Sequence, residues 1–276
     1  MSYRRFDQDD IVVSADSITT PAWTDNLTTL STFKTKASQL SENSSKYYYH
    51  VYNSDTAAQE IQFAIAYGNK VGSGSAPYDA GEVGKSYSST VYGQFRTLLN
   101  GDEDTDFTFI SHSATSTPDS VYFISMQRSR FKEKILPGSL SLTLQSSSTP
   151  VRLTDDSRNV TTDTFCDAGR VYSIYSGSEG VVNNRNIEYG KLYPDVGIIA
   201  LDGTAIEQAA VIAPADLTTG SSVQNIPNLL QAMRTGSAFK LRADETLSSN
   251  FIFVRARNSE FNYSTNPSNI TGSGEL

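Results

Sequence analysis

Four groups of residues in this sequence have types and spacings that chemistry could use. Asp102, Asp104 and Asp106 in "GDEDTDF" stand at alternate positions, like the first oxygen donors of a calcium loop. Phe107 occupies the place where that loop turns on glycine, and no glutamate closes it at the required distance, so the segment reads as a solvated acidic turn. "GEVGKS" ends like a phosphate-binding loop, but the glycine needed five positions before Gly84 is Asp79. His50 and His112 are the only histidines, and no "GxSxG" elbow accompanies them. His50, in a tyrosine-rich strand, reads as a packed or hydrogen-bonded ring, and His112 lies in a Ser/Thr loop. Cys166 is the single cysteine, which leaves no intrachain disulfide and no cysteine-based zinc site. The expectation is a non-enzymatic protein with no catalytic residue, no metal site and no cofactor.

The fourth group is cationic. In "VYFISMQRSRFKEKILPGSLSLTL" an extended reading places Arg128, Arg130, Lys132 and Lys134 on one side, with Gln127, Ser129, Phe131 and Glu133 on the other. Four like charges on one strand face repel and need anions opposite them. Against 22 Lys+Arg the chain carries 30 Asp+Glu, a net charge of −8, so coating a DNA duplex is excluded as a general role and no nucleic-acid partner is expected. The expected counterparts are carboxylates of this chain or of a neighbouring subunit. "LTDDSRN" and "DQDD" are candidates, and neither has the spacing of an acid/base pair.

The elements that must position these residues are mostly strands. Abundant Ser, Thr, Asn and Gly with 15 Tyr and 13 Phe predict a mainly β chain with a few short helices, a β-rich α+β protein of antiparallel sheets and many turns. Strands are expected at Ile11 to Val13, in "KYYYHVYN" and in "EIQFAIAYGNK", half-buried and joined by a turn around Asn53 to Ala57. Further strands are expected in "FTFI", "SVYFISM", "SLSLTLQ", "VRLTD", "RVYSIYSG", "DVGIIALDG" and "NFIFVRARNSEFNYS".

Helical spacing runs loosely from Thr24 to Leu40. It is clear in "STVYGQFRTLLNG", where Val91, Phe95, Leu98 and Leu99 share a face, Ser88 or Ser89 supplies the N-cap and Gly101 follows the end. A second helix is expected in "IPNLLQAMRTG", with Leu229, Leu230 and Met233 apolar and Gly236 as its stop. The Gly/Ser loop from Gly72 through Gly74 to Gly84 and the polar tail 266–276 are candidates for ordering on assembly. One large domain or two closely packed modules, with a boundary near 110 or 215, are expected over residues 1–276. The N-terminus carries no signal-peptide pattern and no window is apolar enough to span a membrane, which predicts a soluble protein made in a cytoplasm, without a membrane anchor. Tyr47, Tyr48, Tyr49 and Tyr52, and Tyr172 with Tyr175, read either as an aromatic binding surface or as tyrosines shared between a core and its rim.

Several stretches form a familiar ordered set: "FDQDDIVVSADSITTPAW", "EIQFAIAYGNKVGSGS", "STVYGQFRTLLNG", "RSRFKEKILPGSLSLTL" running to "VRLTDDS", "GRVYSIYSGS", "YGKLYPDVGIIALDG" and "FVRARNSEFNYSTNPS". Together they resemble a family of virion structural proteins of T4-like contractile-tailed bacteriophages, especially those of marine and cyanobacterial phages. "KEKILPGSLSLTL" and "FNYSTNPS" are its most specific parts. The resemblance implies a tail component, in the baseplate or its wedges, that is assembled in the host cytoplasm into the virion with other tail subunits as a symmetric homo- or hetero-oligomer. A neck or head-to-tail completion protein, or a carbohydrate-binding adhesin of the tail tip, are the alternatives. Arg128, Arg130, Lys132, Lys134, Gly72, Gly74, Phe261 and Tyr263 are the candidate interface residues.

Overall fold

In the computed structural model of the chain, residues 10–24, 47–53, 59–74, 86–146, 149–209 and 222–254 are described. In chain order the elements are β1 (Ile11–Pro21), β2 (Tyr48–Tyr52), β3 (Ile61–Asn69), α1 (Tyr87–Asn100), β4 (Phe109–Ser111), β5 (Ala114–Ser116), β6 (Ser120–Met126), α2 (Arg128–Phe131), β7 (Lys134–Ile135) and β8 (Ser141–Leu144). They continue with β9 (Val151–Asp155), β10 (Thr164–Cys166), β11 (Gly169–Ser178), β12 (Val181–Asn184), β13 (Gly190–Tyr193), β14 (Ile198–Asp202), α3 (Gly203–Gln208), α4 (Ser222–Gly236), β15 (Phe239–Lys240) and β16 (Arg242–Ile252). The chain is mainly β with antiparallel sheets and short helices. It divides into two compact units, residues 19–245 and residues 1–18 with 246–276.

The larger unit is organised by an 11-stranded sheet in the order β15-β8-β9-β11-β13-β14-β6-β3-β2, with β10 and β12 paired to β11. Alternation along β6 sends Tyr122, Ile124 and Met126 into one core and Val121 and Phe123 into another. Register carries this split across neighbours: Ile124 lies between Ile65 and Ile199, Phe123 between Ala66 and Ala200. The first core is closed by α4 through Ile226, Leu229, Leu230 and Met233, together with Trp23 and Phe239. The second is closed by α1 through Val91, Tyr92 and Leu99, with Phe107 and Phe109. Both faces of β3 are therefore covered, and most of its residues are buried, where alternation alone predicts a half-buried strand. Gly68 permits this, because a Cβ there would stand 3.0 Å from the Tyr92 backbone.

The helix α1 stops where expected: Gly101 takes the left-handed conformation, φ 78°, and its N–H reaches Thr97 O. Its N-cap is Ser86 rather than Ser88 or Ser89, whose hydroxyls donate to the carbonyls of Ser73 and Ser86. Leu98 is half exposed, and Tyr92 takes the core place expected for it. In α4 Leu229, Leu230 and Met233 are buried as their spacing requires. The residue after it, Ser237, turns left-handed instead of Gly236, whose missing Cβ makes room for the Thr143 carbonyl.

β1 extends far beyond the expected Ile11 to Val13, and β16 begins at Arg242, eight residues before the predicted "NFIFV" run. In the smaller unit the described residues are 10–18 and 246–254, parts of these two neighbouring strands, with the Phe253 N–H donating to Asp10 O at 2.9 Å. The expected helix over 24–40 falls beyond the described residues after Thr24. The turn at 54–57, the loop residues 75–84, Phe261, Tyr263 and the tail 266–276 also lie outside them.

Candidate functional site

The cationic segment is not extended. Arg128–Phe131 forms a single helical turn, and Lys132 follows with φ 54°. Phe131 causes the change: it is 2% exposed, and its ring lies so close to Gly197 that any Cβ there would collide with it. The four cations therefore do not form a stripe. Arg128 lies over the Phe131 ring at 4.8 Å and donates to Asp195 O at 3.4 Å. Arg130 pairs with Glu60 at 3.3 Å and donates to the Thr24 hydroxyl at 2.6 Å. Lys132 meets Glu245 at 2.6 Å, and Lys134 meets Asp244 at 3.2 Å. Three of the four face carboxylates of the same chain, none from "LTDDSRN".

That acidic cluster has another task. Asp155 is fully buried and accepts from Gly138 N at 2.6 Å, Leu140 N at 3.3 Å and the Ser157 hydroxyl at 2.5 Å. It pins the turn Leu136–Ser139, in which Pro137 precedes a left-handed Gly138 (φ 79°) and Ser139 N–H returns to Leu136 O, as a type II turn requires. Thr154 extends the clamp, donating to Leu140 O and accepting from Gly180 N. Within "KEKILPGSLSLTL" the Pro-Gly turn is thus satisfied by a buried carboxylate. Burial pushes the Asp156 carboxyl up, and Arg185, 3.8 Å away, opposes that.

The remaining chemical candidates fall into structural roles. Asp102 accepts from the amides of Asp104 and Thr105 and from the Thr105 hydroxyl, and these bonds hold it below the usual carboxylate range. Asp106 contacts Lys70 and Arg96. Among the described residues no group of three or more His, Cys, Asp or Glu could hold a metal ion, and no described helix is long and apolar enough to cross a membrane. His112 and Ser113 form the two-residue β4–β5 turn, both with positive φ, as the twist of a tight hairpin demands. Cys166 is half-buried, and burial pushes its thiol up, away from a reactive thiolate. Gly72 and Gly74 are buried, with positive φ and with Ser86 and Asn225 in the space a Cβ would occupy.

Two features not evident from motifs are surface features. In the larger unit a cleft of about 430 Å³ opens between α1 and the β2–β3–β6 face. Its floor consists of small residues in register, Ala64 between His50 and Ser125, Ala66 between Tyr48 and Phe123. Its walls include Tyr47, Phe95, Gln94 and Gln127. Tyr47 meets Tyr87 edge-on at 4.7 Å, Phe95 stacks on Phe123 at 4.1 Å, and His50 lies 4.8 Å from the Tyr48 ring. Burial lowers the His50 pKa, so the imidazole is neutral near pH 7, and no lining residue is a formal ion. Tyr172 and Tyr175, the other half of the expected aromatic surface, are 4% and 6% exposed and take no part in it.

The second feature is the ribbon of the smaller unit. Ile11, Val12, Val13 and Ile18 of β1, Leu247, Phe251 and Ile252 of β16, and Phe253 and Val254 directly after it are all exposed, from 42% to 74%. Consecutive residues point to opposite faces of a strand, so apolar groups lie open on both faces. The runs "IVV" and "FIFV" were the available signal, since a strand with one solvated face does not need consecutive apolar residues.

Compared with known proteins, the chain matches no family model, no curated protein and no solved structure.

Proposed function

We propose that this protein is a non-enzymatic structural component of a contractile-tailed bacteriophage virion, placed in the tail baseplate or its wedges and acting through protein–protein interfaces. The ordered set of sequence stretches that resembles such virion proteins supplies the setting. The observation that carries the assembly role is the ribbon of residues 10–18 and 246–254, because contiguous apolar surface left open on both faces of two strands marks a contact site. The cationic segment contributes internally, through Glu60, Asp244 and Glu245, which leaves apolar burial as the main source of contact energy.

Separating heads from tails of the purified virus, locating the chain by mass spectrometry and labelling it with gold tests this reading. Label at the tail end distal to the head is expected. Label at the neck or on heads would move the protein to a completion role, and absence from virions would refute the structural assignment. The cleft at Tyr47, Tyr48 and His50 favours a second reading, a saccharide-binding surface of the tail tip, because its aromatic walls and neutral amides suit an uncharged sugar ring. Calorimetric titration with neutral oligosaccharides decides it: no heat at millimolar sugar removes that reading.

A further inference from the structure

We propose that a cleft over the outer face of β8, between β15 and β9, binds a phosphate group, free or carried as a monoester by a small molecule, and seats it between Arg152 and Lys240. The site is independent of the assembly reading. Alternation sends Leu142 and Leu144 of β8 into the core, which leaves Ser141 and Thr143 on the opposite face. Register sets Lys240 beside Ser141 and Arg152 beside Thr143, one on each flanking strand. Above them lies a cleft of about 320 Å³, within the range of small-molecule sites, whose lining includes these four residues with Gln145 and Ser178. Thr143 points to a ligand. It is 7% exposed, it lines the cleft, and its hydroxyl makes no hydrogen bond among the described residues. A buried hydroxyl is ordinarily paired, so one left open on a cleft calls for an acceptor from outside the chain. The Ser141 and Ser178 hydroxyls, 3.1 Å apart, stand beside it.

Charge selects the ligand. Arg152 is exposed and has no ion-pair partner among the described residues. Lys240 meets Glu179 at 2.8 Å and chiefly holds that carboxyl below its usual range, with Arg158 and Arg242 adding to the effect. The cleft therefore stays positive in a chain of net charge −8. At the end of α4, which reaches the cleft wall at Gly236, Ala232 O and Met233 O already accept from Gln145 N and Ser237 N. What faces a ligand is a set of donors: a guanidinium, an ammonium and hydroxyls. A phosphate monoester offers them three terminal oxygens and nearly two charges, where a carboxylate offers two oxygens and one charge. A nucleic-acid backbone needs cations along successive phosphates, and two cations at one cleft answer to a single phosphate group.

The test is calorimetric titration of the full chain, at a constant ionic strength of about 0.15 M, with inorganic phosphate, glucose 6-phosphate, succinate and glucose as probes. Both phosphates should bind with Kd on the order of 1 mM or tighter, and glucose should give no heat. Arg152→Gln should weaken them roughly 10-fold or more and Thr143→Val roughly 5-fold or more, with circular dichroism unchanged. Lys70→Gln, which removes a cation paired with Asp106 outside the cleft, should bind as wild type does. A tighter ester than inorganic phosphate would name a phosphorylated small molecule as the ligand, and equal affinities would name the free ion; both support the site. Neither phosphate binding at about 10 mM would overturn the proposal. So would an Arg152→Gln protein that binds as tightly as wild type, an equal loss in Lys70→Gln, or succinate that binds as tightly as glucose 6-phosphate.

Discussion

Replacing Asp202 with asparagine should change how the stability of this protein depends on pH, and the size of the change follows from where the carboxylate sits. Asp202 caps α3, accepting from Thr204 N at 2.8 Å and Ala205 N at 3.2 Å, yet its side chain is almost completely buried. Burial pushes its pKa up to about 6, the two amides pull the other way, and the nearby Glu188 adds to the rise. In the unfolded chain the usual value of 3.8 applies. The folded state therefore holds the proton more tightly. The stabilisation is fully present below pH 3.8 and is lost as the pH rises through about 6. Between about pH 4 and pH 7 the wild type should lose about 2 kcal/mol from this group. The asparagine side chain would keep an oxygen for the cap and carry no charge. Urea unfolding of both proteins at half-unit steps across this window reads the effect of Asp202 together with its coupling to Glu188, because titrating groups remote from it act equally on both. The variant should gain on the wild type by about 2 kcal/mol as the pH rises. Parallel curves would refute the buried, proton-binding Asp202.

Two further substitutions test the clamp and the cationic segment. Asp155→Ala leaves the buried amides of Gly138 and Leu140 without their acceptor and should cost about 3 kcal/mol or more in urea unfolding; a loss under about 1 kcal/mol would mean the turn does not depend on it. Arg130→Glu/Lys132→Glu sets like charges against Glu60 and Glu245, and because those pairs are partly solvated the expected loss is about 1 kcal/mol, a few degrees in Tm, shrinking at about 1 M NaCl. Incorporation of the folded variant into tails should be normal, and selective loss of incorporation would return these cations to an interface.

Several features were legible in the sequence because their causes are local. Gly101 had to end α1, since a left-handed residue there suits glycine and the apolar spacing before it repeats every three to four residues. The strands β6, β8, β9, β11 and β14 announced themselves through short apolar runs between turns. The cationic segment shows where local pattern ended. Over a few residues an alternating run and a helical turn contain the same letters, and burial of Phe131 against Gly197 chose the turn. Its partners Glu60, Asp244 and Glu245 lie about 70 to 115 positions away, a distance no spacing rule spans.

Composition and local pattern were enough for the mainly β class, the position of the two longer helices and the presence of two apolar runs near the ends of the chain. Which apolar groups are covered was settled by long-range packing. Tyr172 and Tyr175 stand three positions apart in β11 and so point to opposite faces of it, and both are buried, which no local spacing decides. "IVV" and "FIFV" have the composition of interior strands, yet they stay exposed because exposure depends on what the rest of the chain brings within contact distance, and a residue's type records only its preference.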